Sequence, residues 1–323
     1  MNHAIAQRKR ELEAYLAPTT IDHAELNAFW DAALSRYDGK PLDVRRERTE
    51  SPFNGVTVDH LTYQGFDDTP IHAWFMVPDV GRGADGARNP LPCVVLFPGY
   101  TDDRGYPERH AGWLLQGYAV LAVDVRGQGG ETGNHLPLRS GAVKGWVSGN
   151  VLEPERSYYH AMTIDAVRAV DAAAAQPEVD GARLAAVGAS QGGGLALISA
   201  ALNPKVTAIV ADIPNLCHMD FGVLNSSSSL AELAQHLKRY PERLEAALHT
   251  LAHYDMLNLA PRIKVPVLMS VGWKDPVCMP ETVYAVYNRI EADKTIKDYP
   301  FSGHEVSEAQ NRERILFLRE RFR

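Results

Sequence analysis

Ser190 lies in the stretch Gly188-Ala189-Ser190-Gln191-Gly192, between the apolar run ARLAAV and the run GGLALISAALN. Folding alone seldom asks for a polar pair fenced by glycines at a strand-to-helix junction. Acyl transfer does ask for it, because a sharp turn there pushes a serine hydroxyl into open space beside a helix N-terminus. A side chain at Gly188 or Gly192 would crowd neighbouring backbone in such a turn. Serine is a poor nucleophile at neutral pH and needs a base. Of the twelve histidines, His304 in YPFSGHE is singled out by its place between the last short strand-like segment and the closing helical run. His110, His160, His236, His249 and His253 fall inside helical patterns, where solvated or partly buried roles are expected.

A histidine base needs a carboxylate to fix its tautomer and stabilise the imidazolium. Asp275, in VGWKDP, follows the run VPVLMSVG. Asp212, which ends VTAIVAD, is its rival, and Glu305 beside His304 is expected to point away. The chain order Ser190, Asp275, His304 is that of an α/β-hydrolase. Acyl transfer also needs donors for the tetrahedral oxyanion. The backbone N–H of Gln191, just after the serine, is one candidate. The backbone N–H of Tyr100 in LFPGY is the other, with Gly99 permitting a tight approach.

The surrounding pattern supplies elements able to hold these groups. DHAELNAFWDAAL predicts a helix capped by Asp22 with Glu25 three residues on, followed by strands at GVTVDHLTY and IHAWFMVP and a loop at GRGADGARNP. From there strands and helices alternate. CVVLF, YAVLAVDV, ARLAAVGAS, VTAIVADIP, VPVLMSVGW and KTIKDYPF read as strands. ERHAGWLLQG, PERSYYHAMTIDAVRAVDAAAAQ, GGGLALISAAL, PETVYAVYNRI and EAQNRERILFLRERF read as helices, Pro154 lying near the start of the long second one. Apolar runs without polar alternation suit strands covered on both faces, and the alternation suits a mostly parallel sheet with helices on both sides. The expectation is one α/β domain over residues 1–323, with a helix-and-strand extension over about the first 90 residues. Functional groups then belong at the carboxyl ends of the strands.

Composition narrows the partners. The formal charge of −7 is spread along the chain without a long basic run, which argues against nucleic acid and anionic membrane. No apolar stretch approaches the roughly 20 residues of a bilayer crossing. The N-terminal MNHAIAQRKRELEAYL carries charges where a signal peptide has its apolar segment, so a cytoplasmic location is expected. Cys93, Cys217 and Cys278 are odd in number and show no paired spacing, which predicts buried thiols rather than disulfides or a structural zinc site.

These residues together resemble the acetyl xylan esterase and cephalosporin C deacetylase family, carbohydrate esterase family seven. The resemblance rests on RGQG at Arg126 to Gly129, GASQGG at Gly188 to Gly193 and GHE at Gly303 to Glu305. It extends to Phe29-Trp30, to Pro98 to Tyr100, to SYYHAMTIDAVRAV, to YDMLNLAPRIKVPVLMSVGWKD and to ETVYAVYNRI. It implies a serine esterase that removes acetyl groups from small substrates such as acetylated xylo-oligosaccharides, other sugar acetates and cephalosporin C. Ser190, Asp275 and His304 match its triad, Tyr100 and Gln191 its oxyanion donors, and Trp113 and Pro214 border its acyl pocket. No metal or organic cofactor is implied. The resemblance also implies a homo-oligomer, a hexamer whose active sites face an internal cavity that admits small esters. Arg126 and Gln128 are expected to tie loops at the sheet edge.

Two stretches depart from the family pattern. GVLNSSSSLAEL stands where many members carry a His-Pro-containing stretch that helps wall the acyl pocket, so the acyl-length limit turns on residues Asn225 to Ser229. GETGNHLPLRSGAVKGW, over residues 130–146, differs from the usual insertion near the subunit interface. A broader short-chain carboxylesterase of the same fold is the alternative. A non-catalytic binding protein would have no need of all five catalytic and oxyanion groups.

Overall fold

The computed structural model describes residues 3–80 and 89–323. Among the described residues, nine strands form one sheet in the order β1-β2-β3-β5-β4-β6-β7-β8-β9. Three come first: β1 (Arg45–Arg48), β2 (Val56–Gln64) and β3 (Pro70–Pro78). They pair antiparallel with one another, and β3 pairs antiparallel with β5 (Ala119–Val123). The remaining pairings are parallel. They join β5 to β4 (Leu91–Phe97), then β6 (Val179–Ala189), β7 (Ala208–Asp212), β8 (Val267–Gly272) and β9 (Lys294–Tyr299). This is the α/β-hydrolase sheet expected from the alternation. Most of the expected loop GRGADGARNP lies outside the described residues.

The continuous apolar runs are buried on both faces, as side-chain alternation requires. Along β4, Cys93, Val95 and Phe97 enter one core and Val94 the other; along β7, Ile209 and Ala211 separate from Ala208 and Val210 in the same way. On the larger side α4 (Tyr158–Ala174) and α5 (Gln191–Leu202) pack on the strands. On the smaller side lie Leu114 of the short α3 (Ala111–Leu114) and Leu318 of α11 (Glu308–Arg321).

The N-terminal helices α1 (Ala4–Glu13) and α2 (His23–Ser35) cover the larger layer from outside. Asp22 caps α2 as expected, its carboxylate accepting from the N–H groups of Ala24 and Glu25. Because α2 and β2 lie over it, α4 is buried almost all round: the Tyr63 hydroxyl donates to the Asp165 carbonyl at 2.9 Å, and His160 is ringed by Phe29, Trp30, Phe66 and Tyr254. The long helix starts later than its sequence suggests. Pro154 opens a separate 3-10 turn, and Ser157 caps α4 by accepting from the His160 N–H.

Between β7 and β8 the chain makes a helical excursion that the alternating pattern did not announce. It comprises α6 (Met219–Asn225), α7 (Ser229–Arg239), α8 (Leu244–Ala252) and α9 (Met256–Leu259); α10 (Pro280–Tyr287) then follows β8. Cys93, Cys217 and Cys278 are buried free thiols. No helix among the described residues is long and apolar enough to cross a membrane.

Candidate active site

Ser190 occupies the turn between β6 and α5 with φ 57° and ψ −124°, a left-handed conformation that a serine adopts only when its surroundings impose it. Those surroundings are backbone. The Ser190 N–H donates to the Asp212 carbonyl at 2.9 Å, and the Ser190 carbonyl accepts from the N–H groups of Asn215 and Gly194. The flanking glycines are obligatory. A Cβ on Gly188 would come 2.3 Å from the Gly192 carbonyl, and one on Gly192 would come 2.0 Å from the Phe97 oxygen. The turn therefore packs against the end of β4, where the PGY segment begins.

His304 and Asp275 reach this turn from the ends of β9 and β8. His304 Nε2 lies 2.9 Å from Ser190 Oγ, and His304 Nδ1 lies 2.8 Å from Asp275 Oδ2. Asp275 is held rigidly: its side chain is fully buried, and its Oδ1 accepts from the Val277 and Cys278 N–H groups at 2.7 and 2.9 Å. The buried Cys278 thiol beside it is pushed well above its ordinary pKa by burial and the Asp275 charge, so it stays neutral. Asp212 is occupied elsewhere. It accepts from Ser270 Oγ at 2.6 Å and Gln310 Nε2 at 2.5 Å and pairs with Arg314, which leaves His304 to Asp275. Glu305 is exposed on the rim of the cleft.

The Gln191 N–H heads α5, among the first-turn donors that a helix leaves unpaired. Among the described residues, neither it nor the Tyr100 N–H donates to another acceptor. Both residues are anchored by their side chains. The Gln191 and Gln128 amides pair reciprocally at 2.9 and 3.1 Å; Gln128 also donates to Tyr158 Oη at 2.9 Å and accepts from the Thr101 N–H at 2.9 Å. Gln128 thus fastens the turns after β4 and β6 to one another. Arg126 does the loop-tying expected of it. It is fully buried and meets Asp165 through Nε at 2.5 Å and Nη2 at 2.8 Å, with Asp67 at 3.3 Å, and these carboxylates push its pKa up.

Tyr100 has a second anchor that sequence reasoning missed. Its hydroxyl donates to Glu232 Oε2 at 2.6 Å and accepts from the Trp146 N–H at 3.3 Å. Gly145, at φ +60°, lies so close that a Cβ there would sit 1.8 Å from Glu232 Oε2. Residues 130–146 therefore end against the Tyr100 turn. The only sequence signal for Glu232 was its place in the first turn of a strongly periodic helix, with Leu230, Leu233 and Leu237 facing inward.

The cleft above Ser190 encloses about 380 Å³ and is lined by Gly99, Trp113, Ile213 and His304 among others, with an exposed Arg109–Asp102 ion pair at 2.7 Å on its edge. Pro214 is buried against Gly193, and its neighbour Ile213 faces the cleft. Asp275, Cys278 and His304 place ligand-type atoms within 4.8 Å of one another, but the Asp275 and His304 atoms are already engaged with each other, Ser190 and backbone N–H groups.

With this geometry in hand, comparison with known proteins is decisive: the acetyl xylan esterase (AXE1) family profile matches residues 6–321. The chain belongs to that family. It is a carboxylic-ester hydrolase. It is similar to the acetyl xylan esterase from Paenibacillus sp. R4, with 33% identity and a TM-score of 0.91 over 96% of this chain and 98% of that one. It is also similar to acetyl xylan esterase 1 from Thermoanaerobacterium sp. JW/SL YS485, with 27% identity and a TM-score of 0.89 over 97% and 98% of the two chains. Acetyl esterase Axe7A of Xylanibacter ruminicola is 27% identical over 94% of this chain and 68% of its own length. An esterase from an Arctic intertidal metagenomic library, 15% identical with a TM-score of 0.56, shares the fold.

Proposed function

We propose that this esterase removes acetyl groups from small acetylated sugars, acetylated xylo-oligosaccharides among them, and from chemically similar acetates such as that of cephalosporin C, through an acyl-enzyme on Ser190. The observation that carries this reading is the Ser190–His304–Asp275 hydrogen-bonded chain, whose serine and histidine line the cleft, together with two uncommitted backbone N–H groups, on Gln191 next to the serine and on Tyr100 in the turn after β4. His304 Nε2 takes the Ser190 proton as Oγ attacks the acetyl carbonyl, and buried Asp275 stabilises the resulting imidazolium. The Gln191 and Tyr100 N–H groups receive the oxyanion. Collapse breaks the ester C–O bond, His304 gives its proton to the departing sugar hydroxyl, and acetyl-Ser190 remains. Water, deprotonated by His304, then releases acetate and restores the serine.

The reading includes the homo-oligomer, a hexamer, and the cytoplasmic setting. The first rests on the family resemblance, and three buried free thiols suit the second. The test is Ser190→Ala with a covalent serine probe. The wild-type protein is expected to label at Ser190, and the variant to fold normally while losing on the order of 10⁶ in kcat. Activity above about 1% of wild type in the variant, with contamination excluded, would remove Ser190 from the reaction.

A further inference from the structure

Glu25, His249 and His253 form a cluster that ester hydrolysis does not use, since none of them lines the cleft around Ser190. Glu25 lies in the first turn of α2, His249 in α8 and His253 at the C-cap of α8. Residues four apart share a helix face, so both imidazoles meet the one carboxylate. Glu25 Oε1 is 2.7 Å from His249 Nε2 and 3.9 Å from His253 Nε2, and the three ligand atoms all lie within 4.8 Å of one another.

His253 is the fixed member. Its side chain is 3% exposed, its ring centroid is 4.4 Å from that of Phe29, and its Nδ1 donates to the His249 carbonyl at 2.9 Å. With the proton on Nδ1, Nε2 presents a lone pair toward Glu25, yet at 3.9 Å it has no hydrogen bond. A buried imidazole held by an Nδ1–H···O=C bond with its other nitrogen facing a carboxylate and a second imidazole is the outer-shell arrangement of a metal-binding histidine.

We propose that Glu25, His249 and His253 bind a divalent transition ion, zinc in the first instance, which clamps α2 to α8. Ligand atoms about 2.0–2.1 Å from a tetrahedral zinc stand roughly 3.3 Å apart. The observed 2.7 and 3.9 Å straddle that value, and the half-exposed Glu25 and His249 side chains are free to even them out around the fixed His253. Two imidazoles and a carboxylate suit zinc and leave a fourth position for water. The other comparable cluster, His60, His72 and Glu131, differs here, because Glu131 Oε2 already accepts from Arg104 Nη2 at 2.7 Å and a fixed cation occupies the position.

The test uses the full chain stripped with a chelator and titrated with zinc chloride against a chromophoric competitor. Wild-type protein is expected to take up zinc at this site and to gain thermal stability from it. His249→Ala and Glu25→Gln, both substitutions at half-exposed positions, should weaken that uptake by at least roughly tenfold and abolish the zinc-dependent rise in Tm, leaving metal-free ester hydrolysis unchanged. Equal zinc affinity in wild type and both variants would place the ion elsewhere and overturn the proposal. Failure of wild-type protein to bind micromolar zinc would overturn it equally.

Discussion

Asp275 Oδ2 lies 2.8 Å from His304 Nδ1, whereas Asp212, at the end of the neighbouring strand, spends both its oxygens on Ser270, Gln310 and Arg314. The two buried carboxylates should therefore fail differently. Asp275→Asn keeps the shape but no longer stabilises the imidazolium, and kcat should fall by roughly 10⁴ in a folded protein. Asp212→Asn leaves Arg314 without its partner and should cost roughly 3 kcal/mol of stability with kcat far less affected. Denaturant midpoints measured beside kcat distinguish the two, and a stable, inactive Asp212→Asn with an active Asp275→Asn would reverse the roles.

Tyr100 offers its backbone to the reaction and its hydroxyl to Glu232. Tyr100→Phe keeps the N–H and loses the anchor. Deleting a whole oxyanion donor costs about 10²–10³ in kcat, so loosening one should cost less, roughly tenfold. The loss should fall on kcat more than on KM, because the N–H acts on the oxyanion rather than on bound ester. Steady-state kinetics on p-nitrophenyl acetate read this directly; an unchanged kcat would show that the Tyr100 turn holds its position without Glu232.

His160 links acid pH to stability. Burial first, then the Arg36, His253 and Arg126 charges, push it down to about 3. Unfolded, it takes a proton below about 6.5, so the unfolded chain binds more protons between those values and stability falls as pH drops through that window. Buried Asp255 runs the other way. Burial pushes it up to about 7, so the folded state protonates first and gains stability as pH falls below that. Comparing wild type with His160→Leu cancels the Asp255 contribution. From pH 7 to pH 4 wild type should lose up to about 3 kcal/mol relative to the variant, at roughly 1.4 kcal/mol per unit. Urea melts at the two pH values measure it, and a pH-independent difference would mean that His160 is not kept neutral by the fold.

What was legible in the sequence, and what was not, follows from the range of the physics. The strands β4 to β8 are continuous apolar runs, and the Ser190 turn is dictated by glycines two residues away on either side, so local pattern sufficed. Asp275 and His304 were placed by chain order and by their positions just past strands. Gln128 was readable as a loop tie, but its pairing with Gln191 joins residues 63 apart, a contact no local pattern encodes. The contact of Tyr100 with Glu232, 132 residues away, is hidden for the same reason, although the helical period around Glu232 is readable. The α6–α9 excursion was passed over because strand alternation was the organising signal, although Leu230, Leu233 and Leu237 carry a helical period. Pro154 misplaced the start of α4 because proline opens a 3-10 turn as readily as an α-helix, and Ser157 is the residue that caps.

The serine run at Asn225 to Ser229 is one of the two stretches expected to depart from the family pattern, and its bonding bears on acyl selectivity. Ser226 Oγ donates to the Val277 carbonyl at 2.9 Å, while the Ser227 N–H and Oγ both donate to the Pro276 carbonyl, at 3.1 and 3.2 Å. Asn215 Nδ2 donates to Ser229 Oγ at 3.3 Å. The run is thus tied at three points to the two residues after Asp275 and at a fourth to the segment after β7, which is not the bonding of a free flap. The family pattern implies that this run walls the acyl pocket, and a run tied this way would exclude added methylenes, each worth about 1–3 kcal/mol or roughly 10–200-fold when accommodated by strain. Acetate esters should accordingly exceed butyrate esters by at least about tenfold in kcat/KM. Replacing Ser226 and Ser227 by alanine removes the hydroxyl ties, keeps one backbone tie, and should narrow that ratio. Matched p-nitrophenyl acetate, propionate and butyrate assays on both proteins provide the measurement. Butyrate hydrolysed as fast as acetate by the wild-type enzyme would make it a broader short-chain carboxylesterase, with the Ser190 chemistry unaltered.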